Sequence, residues 1–177
     1  MNFKTFLSES TKQIWFHGRD VKSTEFDYKW IKHEGVMQEG PGFYFTKKQE
    51  EASIYAGSKG IILKCELNLR KIITKKTKIS STIIKKLIES APDVDDTLQN
   101  WGEYRKEALD LAMSSFRDND NAIDLVQSIW GDFYLKKPNG NVQYLKNMIK
   151  LGIDASEARI NTENLIVFNP DSIKVIE

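Results

Sequence analysis

Apolar positions along this chain of 177 residues change their spacing twice, from alternation to helical periodicity and back to alternation. Residues 13–17, QIWFH, read as a strand that ends at Gly18. Residues 24–32 set Phe26, Trp30 and Ile31 to one side and predict a short helix. The stretch 34–42 holds Gly35, Gly40, Pro41 and Gly42, which predicts a loop. Residues 43–46 make a short aromatic strand. Thr46 is expected to cap a helix that runs through Tyr55, with Gln49 completing a capping box and Gly57 and Gly60 bracketing the turn out. In 61–69 the residues Ile61, Leu63, Cys65, Leu67 and Leu69 alternate, so that face should be core.

Helical spacing takes over in the middle third, with apolar residues three and four apart in 81–90, 95–117 and 121–133. A further helix is expected over 141–151, ended by Gly152 as a left-handed C-terminal residue. Residues 165–168 return to a strand, stopped by Asn169-Pro170, and 173–176 form a last strand or turn. Strands at both ends with helices between them predict an α+β fold with an antiparallel or mixed sheet and a helical insertion in the middle third.

Composition adds bounds. With 40% hydrophobic and 11% aromatic residues the chain can bury one core of ordinary size, so a single domain over 13–177 is expected. The formal net charge of +1 demands neither a nucleic-acid nor a membrane partner. Charge is uneven, however: between Lys59 and Lys86 nine Lys or Arg accompany the single acid Glu66, and from Glu89 to Asp132 eleven acids face three bases. Such runs are most often solvated faces, and few aromatics are interleaved with the basic one to stack nucleic-acid bases. Cys65 is the one cysteine, which excludes an intrachain disulfide and suits a reducing compartment. No run of 18 apolar residues occurs and no signal-peptide core opens the chain, so a cytoplasmic protein is expected. Residues 1–12, MNFKTFLSESTK, place Phe3, Phe6 and Leu7 at helical spacing and read either as a docking tail or as a frayed terminus packing two aromatics.

The candidate chemistry lies in three pieces, taken in order: Phe16-His17-Gly18 at the end of the first strand; Gly40-Pro41-Gly42-Phe43-Tyr44-Phe45-Thr46 with Tyr55 eleven residues after Tyr44; and Asn164-Leu165-Ile166-Val167-Phe168-Asn169-Pro170. Together they resemble the ADP-ribosyltransferase superfamily of the His-Tyr-Glu type, the branch of diphtheria-like toxins and poly(ADP-ribose) polymerases. There a strand ends in His-Gly, Gly-x-Tyr-Phe leads into a helix with a second Tyr, and a late strand opens on Glu. The run KLGIDAS is similar to a turn of phage-encoded members, and 1–12 resembles capsid-targeting segments of large tailed phages.

The resemblance implies an NAD pocket, with NAD as substrate and no metal. His17 would hydrogen-bond the adenosine ribose, and the backbone of Gly18 would take the nicotinamide carboxamide. Tyr44 and Tyr55 would sandwich the cationic ring, and Arg19 would contact the pyrophosphate. Read one at a time, the tyrosines are equally well core aromatics and His17 a strand-end hydrogen-bonder. The resemblance further implies mono-ADP-ribosyl transfer or NAD hydrolysis, a protein acceptor or else a nucleic-acid one, and residence in a bacterial cytoplasm with packaging in a virion through 1–12.

Asn164 stands where the family has its catalytic Glu. It can hydrogen-bond a ribose hydroxyl but brings no charge to an oxocarbenium-like transition state. Glu163 is the second choice, one residue off register and therefore turned to the other face unless a bulge corrects it; Glu157 is a weaker one. Relatives lacking the Glu include mono-ADP-ribosyltransferases and inactive binders, which leaves a catalytically inactive NAD or ADP-ribose module, or a phage head-associated structural protein, as alternatives. His33 reads as an exposed helix-end residue. No HExxH, CxxC or phosphate-cradling glycine loop is present.

Overall fold

The structure, a computed structural model, describes residues 13–31 and 39–176. The expected tail at 1–12 and His33 lie outside the described residues. The strands are β1 (Ile14–Arg19), β2 (Phe43–Phe45), β3 (Ile61–Leu67), β4 (Ile72–Ile73), β5 (Ala155–Glu157), β6 (Leu165–Val167) and β7 (Ile173–Val175). The helices are α1 (Gln49–Ala56), α2 (Ser81–Glu89), α3 (Val94–Leu98), α4 (Arg105–Arg117), α5 (Ala122–Phe133) and α6 (Gly140–Lys150). The chain is thus α+β, as its periodicities predict, with one sheet ordered β1-β3-β7 and another ordered β2-β6-β5-β4. The first is antiparallel throughout; the second is mixed, because β4 joins β5 in parallel. No helix among the described residues is long and apolar enough to cross a membrane.

The two sheets meet at one antiparallel bridge, where the Phe16 N–H donates to the Thr46 carbonyl at 2.8 Å and the Thr46 N–H to the Phe16 carbonyl at 3.0 Å. Past that point each strand pairs only within its own sheet. Continued register would set Gly18 opposite Tyr44, but β1 pairs there with Ile62 of β3 and β2 with Ile166 of β6. A gap therefore opens between β1 and β2, with the bridge at its apex. Helix α1 leaves β2 and packs on β1, so closely that a Cβ on Gly18 would stand 1.8 Å from the Ala52 carbonyl oxygen. Glycine is required at 18 by this crossing alone.

Helices α2 to α6 form a block that contributes Ile84, Leu87, Phe116, Ile129, Phe133 and Leu145 to the core shared with the sheets. Two of its helices start at side-chain caps. Ser80 accepts from the Ile83 N–H before α2, and Asn121 accepts from the Ile123 and Asp124 N–H groups before α5. Gly152 closes α6 at φ +77°, the left-handed conformation that glycine adopts without strain.

Four expectations need correction. The helix expected over 24–32 is only a 3₁₀ turn at Tyr28–Trp30. The Arg19 guanidinium donates to the Ser23 and Glu25 carbonyls at 2.8 Å each, which gives this segment side-chain partners in place of a helical ladder. The helix expected over 95–117 breaks into α3 and α4 around Gly102, with Trp101 turned onto Phe116 at a ring separation of 5.6 Å. Thr46 does not cap α1, which begins at Gln49 after Lys48 with no side-chain cap, so Gln49 falls too early to complete a capping box. Strands β4 and β5 were not expected at all: β4 has two residues, and β5 is the run Ala-Ser-Glu, with no apolar alternation to announce it.

Candidate active site

The apex of the gap is built from three strands at one level. The β2–β6 register pairs Phe45 with Leu165, so the next pair outward is Thr46 with Asn164, and Thr46 is itself bridged to Phe16. Asn164 closes the tight turn ahead of β6: its N–H donates to the Asn161 carbonyl and its carbonyl accepts from the Ala158 N–H, both at 2.9 Å.

His17 spans the gap. It lies on β1, 9% exposed, and its Nδ1–H donates to the Tyr44 carbonyl at 2.7 Å. Burial drives its pKa down from 6.5 to about 4, against the hydrogen bond to Tyr44, which raises it, and with the help of nearby Arg19. The imidazole is therefore neutral at pH 7, with Nδ1 protonated and Nε2 left as an acceptor. Phe26 and Phe45 hold the ring in place, at centroid distances of 5.0 and 5.2 Å.

Gly18 follows with its backbone aimed into the gap. Peptide groups on a strand alternate edges, so the N–H and C=O of Gly18 face the same way as those of Phe16, away from β3 and toward β2. Among the described residues neither group has a partner on that side. A donor and an acceptor side by side on an open strand edge match a primary carboxamide.

Tyr44 is half-buried on β2, and its hydroxyl donates to the Gly40 carbonyl at 2.5 Å. Burial, with the charge of Glu39 nearby and Tyr55 as a further neighbour, raises its pKa well above the ordinary phenol value, so the ring is a neutral, fixed plate. Tyr55, on α1, is 63% exposed. The two tyrosines that the sequence singles out thus lie in one neighbourhood, Tyr44 fixed on β2 and Tyr55 on α1 open to solvent.

The remaining expected site residues sort differently. The Arg19 side chain is committed to the 23–30 segment: besides its two carbonyls it lies 5.1 Å from the Phe26 ring centroid, which gives it a structural task rather than a place beside a pyrophosphate. Asn164 is at the apex with its Oδ1 buried and without a hydrogen-bond partner. Glu163 is on the rim, its side chain 66% exposed and 3.4 Å from Lys48 Nζ. Glu157 sits on β5 and accepts from the Lys75 N–H at 3.4 Å, among a different set of residues.

Sequence reasoning missed Glu51. One of its carboxylate oxygens accepts from the Thr46 hydroxyl at 2.9 Å and the other from Lys48 Nζ at 3.1 Å. Hydrogen bonds from Thr46, then Lys48, and also from the Asn164 side chain hold the Glu51 carboxyl below the usual carboxylate range against its desolvation. The signal was available: Glu51 precedes Tyr55 by four residues, which puts both on one face of a helix. It was hidden by treating Thr46 as a cap.

A cavity of about 450 Å³ lies elsewhere, lined by residues that include Asp118, Asp120, Asp124 and Arg159. It shares no residue with the gap, and its acidic lining disfavours a pyrophosphate. No family model, curated protein or solved structure matches the chain.

Proposed function

We propose that this chain has an ADP-ribosyltransferase-like fold and cleaves the nicotinamide–ribose bond of NAD, passing ADP-ribose to a protein acceptor or to water. The observation that carries the reading is the edge of Gly18, unpaired among the described residues, beside Tyr44 and near Tyr55. A nicotinamide carboxamide would pair with that edge as a third strand does, and its ring would lie against Tyr44 with Tyr55 closing over it. The neutral His17, its Nδ1–H fixed on Tyr44, offers Nε2 to a ribose hydroxyl. Asn164 Oδ1, a buried acceptor with no partner of its own, suits a second hydroxyl; an orphaned acceptor is costly in a folded protein unless a ligand satisfies it.

The test is nicotinamide release from NAD by the purified protein, read together with intact mass. Release is expected, with a gain of ADP-ribose on an acceptor or free ADP-ribose in solution. It should fall at least about 100-fold in both His17→Ala and Tyr44→Ala. Undiminished release in both variants would place the chemistry elsewhere, and no release from wild type would remove the enzyme.

A second reading, a module that binds NAD or ADP-ribose without turning it over, is favoured by Asn164, which brings no charge of its own. It predicts a thermal shift with NAD and no nicotinamide. The bacterial cytoplasm, the virion and a capsid partner remain proposals that rest on 1–12, and deleting that segment should abolish packaging while leaving NAD binding intact.

A further inference from the structure

We infer that Glu51, on α1, is the carboxylate of this active site, supplying from a neighbouring helix the charge that Asn164 on β6 does not. The inference rests on the NAD-cleaving reading above.

The Thr46 hydroxyl draws Glu51 to the apex. Thr46, the cross-strand neighbour of Asn164, donates its hydroxyl to Glu51 at 2.9 Å, so the carboxylate leans back over the strand pair instead of out along the helix. Thr46 Oγ1 also accepts the Lys48 N–H at 3.2 Å, which fixes the hydroxyl and turns its proton toward Glu51. Asn164 lies close enough to help lower the Glu51 pKa, after Thr46 and Lys48. Its Oδ1 is buried and unpartnered among the described residues. The carboxamide thus lies beside both the carboxylate and the place where a hydroxyl would sit.

The helix sets the distance to the aromatic slot. Glu51 and Tyr55 are about one turn apart on the same face of α1, about 6 Å along the axis. A ring held at Tyr55 and Tyr44 would lie one helical turn from Glu51. Glu51 is not spent on its ion pair. Lys48 is 56% exposed and has a second carboxylate, Glu163, at 3.4 Å, so it stays paired when Glu51 turns to a substrate cation.

The chemistry balances without any further reagent. The bond between the ribose anomeric carbon and the pyridinium nitrogen breaks, and its electron pair leaves on nicotinamide, which becomes neutral. The positive charge passes to the ribosyl carbon and ring oxygen, beside the Glu51 carboxylate. A water or acceptor hydroxyl forms the new bond to that carbon and gives up its proton, to Glu51 or to solvent. Glu51 enters as an anion and, once any proton has passed on to solvent, leaves as one.

The test compares Glu51→Gln with Glu163→Gln and wild type in the full chain, measuring nicotinamide release, the thermal shift given by NAD, and the pH dependence of release. Wild type should release nicotinamide and Glu51→Gln should lose about 100-fold or more in kcat. The NAD-induced shift should be kept, because glutamine preserves the hydrogen bond from Thr46. Glu163→Gln should lose less than Glu51→Gln. Thr46→Val should move the acidic limb of the pH profile upward, since it removes the bond that most depresses the Glu51 pKa. Release that survives in Glu51→Gln but falls in Glu163→Gln overturns the inference and leaves the NAD-cleaving reading standing. If wild type binds NAD yet releases no nicotinamide, that reading fails, and the role of Glu51 goes with it.

Discussion

The helical block and the meeting of the two sheets solve the same problem, buried polar groups, in opposite ways. In the block every such group finds a protein partner. Trp130 Nε1 donates to Asn141 Oδ1 at 2.8 Å, and Tyr144 OH to the Val126 carbonyl at 3.2 Å. Tyr134 OH donates to the Leu87 carbonyl. Asn147 Nδ2 lies 3.0 Å from both the Tyr134 oxygen and the Ser90 carbonyl. Even Asp124 Oδ1, which makes no hydrogen bond, has the Arg159 guanidinium 2.8 Å away. Where the sheets meet, by contrast, Asn164 Oδ1 and Arg19 Nε are buried and unmatched, an unpaired strand edge opens at Gly18, and a histidine is kept neutral by burial. Local rules that stabilise are obeyed in the block and broken at the gap, the pattern expected where a ligand completes what folding leaves open.

The largest effect that would sharpen this contrast is a cavity in the block. Leu145 is fully buried, and Leu145→Ala should cost about 2–5 kcal/mol of stability by chemical denaturation. At a temperature where the variant stays folded, the NAD-induced thermal shift should be unchanged. A loss of NAD binding in the folded variant would show the two regions to be one cooperative site and would break the comparison.

Acid should find the gap before it finds the block. His17 has its pKa lowered to about 4 in the folded chain, from 6.5 when unfolded. The unfolded chain therefore binds more protons between those values, and stability rises with pH across that window and is lost as pH falls from 6.5 toward 4. The full loss is about 3 kcal/mol. His17→Gln can still donate to the Tyr44 carbonyl and should flatten denaturation midpoints over that range, while the steeper loss below pH 4 from carboxylates such as Asp154 remains. Burial opposes ionisation of Asp154, but bonds from the Arg70 side chain and from the Arg70 and Lys71 N–H groups outweigh it and hold its carboxyl below the ordinary value. An equal slope in wild type and His17→Gln would mean that folding leaves the His17 pKa at its unfolded value.

Why His17, Tyr44 and Asn164 could be singled out in the sequence and Glu51 could not follows from where each signal resides. His17 and Tyr44 lie within short strands rich in aromatic residues and Asn164 just ahead of β6, so their order along the chain could be compared with a family pattern. Tyr55 follows from the helix. Arg19 and Glu51 take their roles from contacts across elements: Arg19 wraps the 23–30 segment, and Glu51 is drawn over β2 by Thr46. Nothing in the residues flanking either one encodes such a contact. Strand β5 is a similar case, since Ala155, Ser156 and Glu157 are strand residues only because β6 and β4 lie on either side of them.

The smallest expected effect is the most discriminating, because it sets two asparagines against each other. In the block, Asn147→Leu strands the Ser90 carbonyl and removes a donor from the Tyr134 hydroxyl, and should cost about 1–3 kcal/mol. At the gap, Asn164→Leu removes a buried acceptor that no protein group among the described residues satisfies, beside Glu51, a carboxylate that keeps Thr46 and Lys48. Stability should then change by less than about 1 kcal/mol, in the stabilising direction, while nicotinamide release is lost. A variant that gains stability as it loses activity identifies Asn164 Oδ1 as an atom kept for a ligand. If Asn164→Leu instead costs as much as Asn147→Leu, the acceptor has a structural partner in solution and the two regions differ less than their hydrogen bonds imply.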